Sequence, residues 1–328
     1  MKITLKDISI QTGISIPTVS RILSRTKLKN TKKENKVILI ARKLGYPYIK
    51  SDQLSKKEKH IALITEVENG EFYTSLFRGM HDASLISNTK FSLISIKNEK
   101  DPINQIIESL QYFDGCCIFI PSLNDEDYRK IIKFKIDKPI ISLAPIPNPI
   151  IDTISFDSYR GGFLVAKYFN KHSYNDVGII LGPKTRIESN NRKNGFIDYI
   201  YSKSSMRLNW SFKGDYSIES GHNAYRDLKK NNICKISIFS SNDSMAIGFI
   251  KEAQKDGAEI PKNIKICGYD NLPICQHLNP TLTSVSTNFL SLGKQVINII
   301  NNKLYLENCN SGHVSLIPVG LVERRSTQ

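Results

Sequence analysis

No stretch of eighteen apolar residues occurs anywhere in the 328-residue chain, which leaves no segment able to span a bilayer as a helix. An apolar leader is also missing at the N-terminus, so a cytoplasmic chain is expected. The six cysteines are Cys116, Cys117, Cys234, Cys267, Cys275 and Cys309, and none forms a C-x-x-C pair. That spacing gives no support to zinc or thioredoxin-like chemistry, and free, mostly buried thiols are expected. The sequence contains no G-x-S-x-G, no G-x-x-x-x-G-K-[ST] and no H-E-x-x-H, so the common hydrolase, phosphate-loop and zinc-protease patterns are excluded. Six scattered histidines suggest no metal cluster. Gly161-Gly162 is a weak phosphate signal at best, and low-complexity and repeated segments are absent. The expectation is a non-enzyme with no cofactor and no metal.

Acidic residues are scarce at one end. Residues 1–59 carry 15 Lys/Arg against four acids, a net +11 that leaves +4 of the total +15 for the other 269 residues. A basic excess concentrated in one fifth of the chain points to an anionic partner for that segment. Compositional drift toward Lys would spread the excess more evenly.

The same segment carries a helix-turn-helix pattern. Thr4 is placed to cap a first helix with Asp7 three residues on, as in a capping box. Leu5 and Ile8 recur at helical spacing, and Gly13 gives the freedom a sharp turn needs. Ser15 is expected to cap the second helix, with Pro17 in its first turn and Val19, Ile22 and Leu23 facing inward. Ile16, Pro17, Ser20 and Arg21 are left outward, as a recognition helix needs in a major groove. Arg21 can give two hydrogen bonds to a guanine edge or one to a phosphate, while Ile16 and Pro17 offer apolar contacts. A third helix opens at Asn30 or Thr31, turns Val37, Ile40 or Ala41, and Leu44 inward, and stops at Gly45 before Pro47.

The runs Thr4-Leu-Lys-Asp-Ile8, Thr12-Gly-Ile-Ser15, Thr18-Val-Ser-Arg-Ile-Leu23 and Lys43-Leu-Gly-Tyr46 resemble the DNA-binding headpiece of the LacI/GalR (lactose-repressor) family. The resemblance implies a headpiece over 1–47 whose DNA contacts come from Thr4, Ser15, Ile16, Pro17, Thr18, Ser20 and Arg21. It makes Ile16, Pro17 and Arg21 the base readers. Residues 48–59 read as a polar, basic linker. In the family such a segment forms a hinge helix on operator DNA with a leucine wedged into the minor groove, and Leu54 is the matching candidate. Tyr46-Pro47 is one residue tighter than the family's Tyr-x-Pro-Asn, and Ser51-Asp52 replaces its usual Ala-Arg. A flexible tether with Leu54 exposed is the alternative.

From His60 onward, apolar runs alternate with amphipathic segments. Strands are expected at 61–67, 91–96, 116–120 and 139–143, with helices at 73–87, 103–112 and 126–133 between them. A second set has helices at 159–170, 192–201, 218–230 and 244–255, strands at 176–181, 236–239 and 264–268, and a closing helix at 289–306. Unbroken apolar strands alternating with helices predict parallel sheets covered on both faces. The fold class is therefore an all-α helix-turn-helix headpiece plus an α/β effector domain of two Rossmann-like lobes over 60–328. Asn242-Asp-Ser-Met-Ala-Ile-Gly248, Gly268-Tyr-Asp270, Pro280-Thr-Leu-Thr283 and Pro318-Val-Gly-Leu-Val-Glu-Arg-Arg-Ser326 extend the resemblance to the type I periplasmic-binding-protein-like effector domain.

Ligands of open parallel sheets bind beyond the carboxyl ends of the strands. Asp243 and Asp270 each follow an expected strand, and Arg192 begins a helix after another. Carboxylates accepting from hydroxyls and a guanidinium donating to vicinal oxygens suit a neutral polyol. Phe72 and Tyr216 add flat apolar walls. The resemblance implies ligand roles for Arg192, Tyr216, Asn242 and Asp270, with Phe72 from the other lobe. Plainer roles stand beside these: Asp243 as a helix cap, Asp270 as a turn anchor, Arg192 paired with Glu188 at the surface, and Phe72 and Tyr216 as core aromatics. Ala144-Pro145-Ile146-Pro147 stands where many relatives carry a polar contact, so this side of the pocket is expected to be apolar.

The expected function is a sequence-specific, DNA-binding transcription repressor of carbohydrate-utilisation genes. Its expected partners are operator DNA, a small sugar-like effector and a second copy of itself. A dimer, not a coiled-coil tetramer, is expected because no leucine heptad follows Arg325. The alternatives are a carbohydrate-binding or transport protein on the same fold, an enzyme of the cleft, and a regulator controlled by a protein corepressor.

Overall fold

The computed structural model describes residues 3–25, 31–44, 46, 58–66, 72–96, 102–134, 138–203, 205–304 and 312–328. Its N-terminal part has three helices, α1 (Leu5–Thr12), α2 (Ile16–Leu23) and α3 (Lys32–Lys43). The capping box forms: the Thr4 N–H donates to Asp7 Oδ2 at 2.8 Å and the Asp7 N–H to Thr4 Oγ1 at 3.4 Å. Those hydrogen bonds hold the Asp7 carboxyl below its ordinary range. Gly13 ends α1 at φ 70°, in the left-handed region, where a side chain would be strained.

Ser15 precedes α2, but its side chain does not cap the helix. Its hydroxyl instead meets Thr18 Oγ1 at 3.0 Å, and its backbone carbonyl accepts from Val19 at 3.0 Å. Ile8, Ile14, Val19, Ile22, Leu23, Val37, Ile38 and Ala41 form the small core. Val37 and Ala41 are fully buried as expected, Ile38 is buried as well, and Ile40 and Leu44 lie at the rim. An Arg25–Glu34 ion pair links the end of α2 to the start of α3.

Two six-stranded sheets follow. The first holds β1 (Lys59–Thr65), β2 (Thr89–Ser95), β3 (Gly115–Phe119), β4 (Ile140–Ser142), β5 (Asp152–Phe156) and, far along the chain, β11 (Val314–Ile317). Its order is β11-β5-β4-β3-β1-β2 and every pairing is parallel. The second holds β6 (Asp176–Leu181), β7 (Arg207–Lys213), β8 (Ile236–Ser240), β9 (Ile264–Asp270), β10 (Thr283–Ser286) and β12 (Gly320–Val322). Its order is β12-β10-β9-β8-β6-β7, with only β12 antiparallel. Helices α4 (Phe72–Ser87), α5 (Pro102–Tyr112) and α6 (Asp125–Lys133) cover the first sheet. Helices α7 (Ser158–Lys171), α8 (Ile187–Tyr201), α9 (Ile218–Lys230) and α10 (Asp243–Lys255) cover the second.

The chain crosses between the lobes three times, at 156–158, 286–289 and 317–320. These crossings correct the expectation for the helix at 289–306. The last helix, α11 (Phe289–Lys303), does not close the second lobe. Its Leu292, Val296, Ile297 and Ile300 pack with Leu76 and Met80 of α4 and Leu63 of β1 in the first lobe's core.

Lys303, at the end of α11, pairs with Asp152 at the start of β5 at 2.6 Å, with both side chains buried. A buried carboxylate deprived of its cation is strongly destabilising, by about 3–5 kcal/mol. We expect Lys303→Met to lower the stability of the first lobe by that order in a urea melt. The double change Lys303→Met with Asp152→Leu should recover most of the loss, and equal losses in the two variants would refute the assignment.

Candidate functional site

Two separate faces carry the chemistry. On α2, Ser15, Ile16, Pro17 and Arg21 are exposed and Thr18 and Ser20 half-exposed, while Val19, Ile22 and Leu23 are buried. Thr4 is exposed at the start of α1 with its hydroxyl donating to Asp7 Oδ2 at 2.7 Å. The sequence-expected DNA-facing set thus lies outward from one small core. Leu54 lies outside the described residues.

The second face lies where the strands of the second lobe end. Helix α8 delivers Arg192 because α7 and α8 approach closely. A Cβ at Gly162 would lie 1.9 Å from the Arg192 carbonyl oxygen, and one at Gly195 1.9 Å from that of Tyr159. A Cβ at Gly161 would meet the Tyr269 ring at 2.4 Å. The Gly161-Gly162 pair is therefore accounted for by packing, without any phosphate.

Arg192 is only 8% exposed. Its Nη1 donates to the Ser241 carbonyl at 2.6 Å and its Nη2 to Asp270 Oδ1 at 3.4 Å. The guanidinium lies 3.7 Å from the Tyr269 ring centroid and 5.8 Å from that of Tyr216, a cation–π arrangement. Burial opposes the Arg192 charge, but Tyr216, Asp270 and Tyr269 around it raise its pKa on balance. Arg192 Nε and Ser241 Oγ are buried with no hydrogen-bond partner. The Tyr216 hydroxyl faces Ser189 with a geometry short of a hydrogen bond, and the Tyr269 hydroxyl stands in the same relation to Ser158. Buried polar atoms of native proteins are nearly always satisfied, so this group can accommodate a species that brings donors and acceptors.

Asp270 ends β9 at φ 108° and Tyr216 precedes α9 at φ 76°. Both are left-handed non-glycine positions, and such strain clusters at functional sites. The Asp270 side chain is 21% exposed. Burial pushes its carboxyl up to about 7 against the pull of Arg192, with Asp243 and Glu188 adding to the rise. An unfolded Asp titrates near about 3.9, so the folded chain holds a proton that the unfolded chain has lost between these values. Stability gained this way is fully present below about pH 4 and is lost progressively as pH rises to about 7. Relative to Asp270→Asn, the wild-type melting temperature should therefore fall between pH 5 and pH 8. A constant difference across that range would contradict the assignment.

Two expected ligand residues sit deeper than the sequence suggested. Asp243 is fully buried. It accepts from Ser284 Oγ at 2.6 Å, from the Leu272 N–H at 2.8 Å and from Cys275 Sγ at 3.2 Å. These bonds engage both of its oxygens, so it anchors the loop after β9 from below instead of presenting them to a ligand. Nor does it cap α10, because Asn242 does so, accepting from the Met245 N–H at 2.9 Å. Asn242 also donates to the Tyr216 carbonyl at 2.9 Å, so it fixes Tyr216 and the helix start together.

Phe72, from the first lobe, stacks on Phe289 at 4.7 Å and meets Phe119 edge-on at 5.6 Å. It lines a cavity of about 220 Å³ together with Asp270, so an aromatic of one lobe and a carboxylate of the other share one space. Ala144 and Ile146 are buried, and Pro145, Ile146 and Pro147 line a separate cavity of about 340 Å³ with Tyr159 and Asn191. Sequence reasoning missed Ser241, Tyr269 and Phe289. Tyr269 sits inside the Gly268-Tyr-Asp270 signature, but Ser241 acts through a carbonyl, which no side-chain pattern reveals. Among the described residues, no group of three His, Cys, Asp or Glu could hold a metal, and no helix is long and apolar enough to cross a membrane.

Comparison with known proteins agrees with this architecture. Residues 166–327 match a periplasmic binding protein-like domain. The HTH-type transcriptional repressor PurR of Pasteurella multocida (strain Pm70) is 24% identical over 332 residues, covering 99% of this chain and 98% of that protein. The lac repressor dimer bound to operator and the anti-inducer ONPF aligns with a TM-score of 0.73 at 19% identity, covering 100% and 99% of the two chains. A complex of the transcriptional regulator CelR with cellobiose aligns with a TM-score of 0.72 at 18% identity, covering 99% of each. With three N-terminal helices, two lobes crossed three times and relatives matched along its whole length, the chain carries a periplasmic binding protein-like domain over 166–327 and has the fold of the lac repressor.

Proposed function

We propose that this protein is a transcription repressor that binds operator DNA through α2 and is controlled by a small molecule held between its lobes. Residues 1–47 act as the headpiece, 48–59 as the hinge, and 60–328 as the effector-binding and dimerisation unit. The protein works in the cytoplasm as a homodimer and catalyses no reaction. The observation that carries the reading is the exposed face of Ile16, Pro17 and Arg21 on a short helix within a segment of net charge +11. Relatives named as repressors, one of them solved on operator DNA, support it.

One headpiece covers only a half-site, and two-fold proteins read palindromic sites. Effector binding in the cleft, among Arg192, Tyr216, Asp270 and Phe72, favours one lobe pose over the other. That preference changes how the paired headpieces fit the operator, because a ligand shifts an equilibrium only by its differential affinity for the two states.

The experiment is selection of duplexes from a random pool by the full-length protein, followed by salt titration. A palindromic consensus is expected. With six to ten phosphate contacts, affinity should fall by roughly a thousand- to hundred-thousand-fold between about 50 and 200 mM salt. Recovery of no consensus, or affinity indifferent to salt, would overturn the reading.

A further inference from the structure

Resting on the reading of the cleft as an effector site, we infer that the effector is a small ring-bearing amine, cationic at neutral pH, and not a neutral polyol or a sugar phosphate. Glu188 carries an uncompensated charge toward this site. It lies one helical turn before Arg192 on α8, a spacing that puts both side chains on one face. Glu188 is half-buried and, among the described residues, makes no hydrogen bond or ion pair. Its charge nevertheless reaches the site: it raises the pKa of Arg192, Tyr216 and Asp270 alike. An unpaired carboxylate next to a second carboxylate is a costly arrangement once a cleft closes and water leaves.

Arg192, the cation that pairs with Asp270 among the described residues, does not balance it. Both Nη atoms of Arg192 are engaged, by the Ser241 carbonyl and by Asp270. Its face lies against Tyr269, which leaves Nε as its unpartnered donor. Asp243 adds a third carboxylate beneath, already saturated by Ser284, Leu272 and Cys275. Glu188 and Asp270 thus offer acceptors and negative charge.

A phosphate or carboxylate ligand would meet two like charges there. A hydroxyl would satisfy hydrogen bonds but leave the charge of Glu188 unbalanced. An ammonium group brings three donors and the opposite charge in a compact shape. The opposing wall supplies the remainder of the ligand's shape. Phe72, Phe119 and Phe289 form a contiguous aromatic surface, and Tyr216 adds a ring on the carboxylate side. Rings suit the flat apolar body of a ligand, and their faces attract cations.

The test uses three phenyl-bearing fragments of similar size, benzylamine, benzyl alcohol and benzoate, titrated onto the full-length protein at pH 8 by ligand-observed NMR. Benzylamine is expected to bind at least tenfold more tightly than either of the others. Glu188→Gln should erase that preference without lowering the melting temperature. Lowering the pH from 8 to 6 should weaken benzylamine binding as Asp270 takes up a proton. Equal or tighter binding of the alcohol or benzoate, no binding of benzylamine, or an unchanged preference in Glu188→Gln would each overturn the inference. Benzyl alcohol or benzoate binding that disappears in Asp270→Ala would do so while leaving the cleft in place as the effector site, which separates the two failures.

Discussion

Arg192→Ala should all but abolish effector binding while leaving operator binding by the free protein intact. The guanidinium joins α8 to the Ser241 carbonyl after β8 and to Asp270 at the end of β9, and it stacks on Tyr269. Truncation would remove the proposed ligand contact and leave Asp270 without its cation. Removing one partner of a buried, hydrogen-bonded charge pair typically costs about 2–5 kcal/mol, which is roughly thirty- to several-thousand-fold in Kd. Calorimetry on the wild type and the variant checks it. Arg192→Lys should recover little, because an ammonium cannot make both Nη contacts and stack on a ring. An effector affinity within threefold of wild type in Arg192→Ala would place the site elsewhere.

The second large effect is expected in the headpiece. Arg21 is exposed on α2 and lies outside the small core of that region, so Arg21→Ala should leave folding unchanged. Should Arg21 read a guanine edge, its loss costs about 1–3 kcal/mol and relaxes specificity at one position. That is roughly a five- to hundred-and-fifty-fold loss on the selected duplex, with a smaller change on scrambled DNA. A uniform loss on both duplexes, with a shallower salt slope, would reassign Arg21 to phosphate. Val19→Ala is the contrasting change, since Val19 is fully buried and its truncation should unfold the headpiece instead of altering specificity.

The parts of this fold that the sequence revealed are those whose signals are local. Thr4 with Asp7, Gly13, and Pro17 in the first turn of α2 mark the helix-turn-helix within a score of residues. Strands β1, β3, β6, β8 and β9 are buried on both faces and read as apolar runs. Strands β5, β10, β11 and β12 were not legible. Asp152-Thr-Ile-Ser-Phe156 and Thr283-Ser-Val-Ser286 are largely polar, and Thr153, Ser155, Thr283 and Ser284 are buried by neighbours remote in sequence. Thr283 Oγ1, for example, accepts from the Arg324 N–H at 2.7 Å. Strand β7 was missed for a different reason: it is an edge strand whose Arg207, Asn209, Ser211 and Lys213 face solvent.

The lobe to which α11 belongs also could not be read from sequence order, because the chain recrosses between sheets. The site shows the same division. Asp270 and Arg192 were recognisable as charged residues at element ends, and the structure pairs them. Asp243 looked equivalent to Asp270 in sequence, yet three donors converge on it from Leu272, Cys275 and Ser284. Local pattern distinguishes a strand-end carboxylate from a core residue but not a floor from a foundation.

The central claim is that the cleft and the headpiece are coupled, and thermodynamic reciprocity tests it most directly. With a cleft ligand found by thermal shift and a duplex obtained by selection, two ratios are measured. One is the change in duplex Kd on saturating with ligand; the other is the change in ligand Kd on saturating with duplex. Coupling requires the two factors to be equal. The account predicts a shared factor of about 5–150, the usual range for coupled sites, which collapses to one in Arg192→Ala. A duplex affinity unmoved by saturating ligand would contradict it.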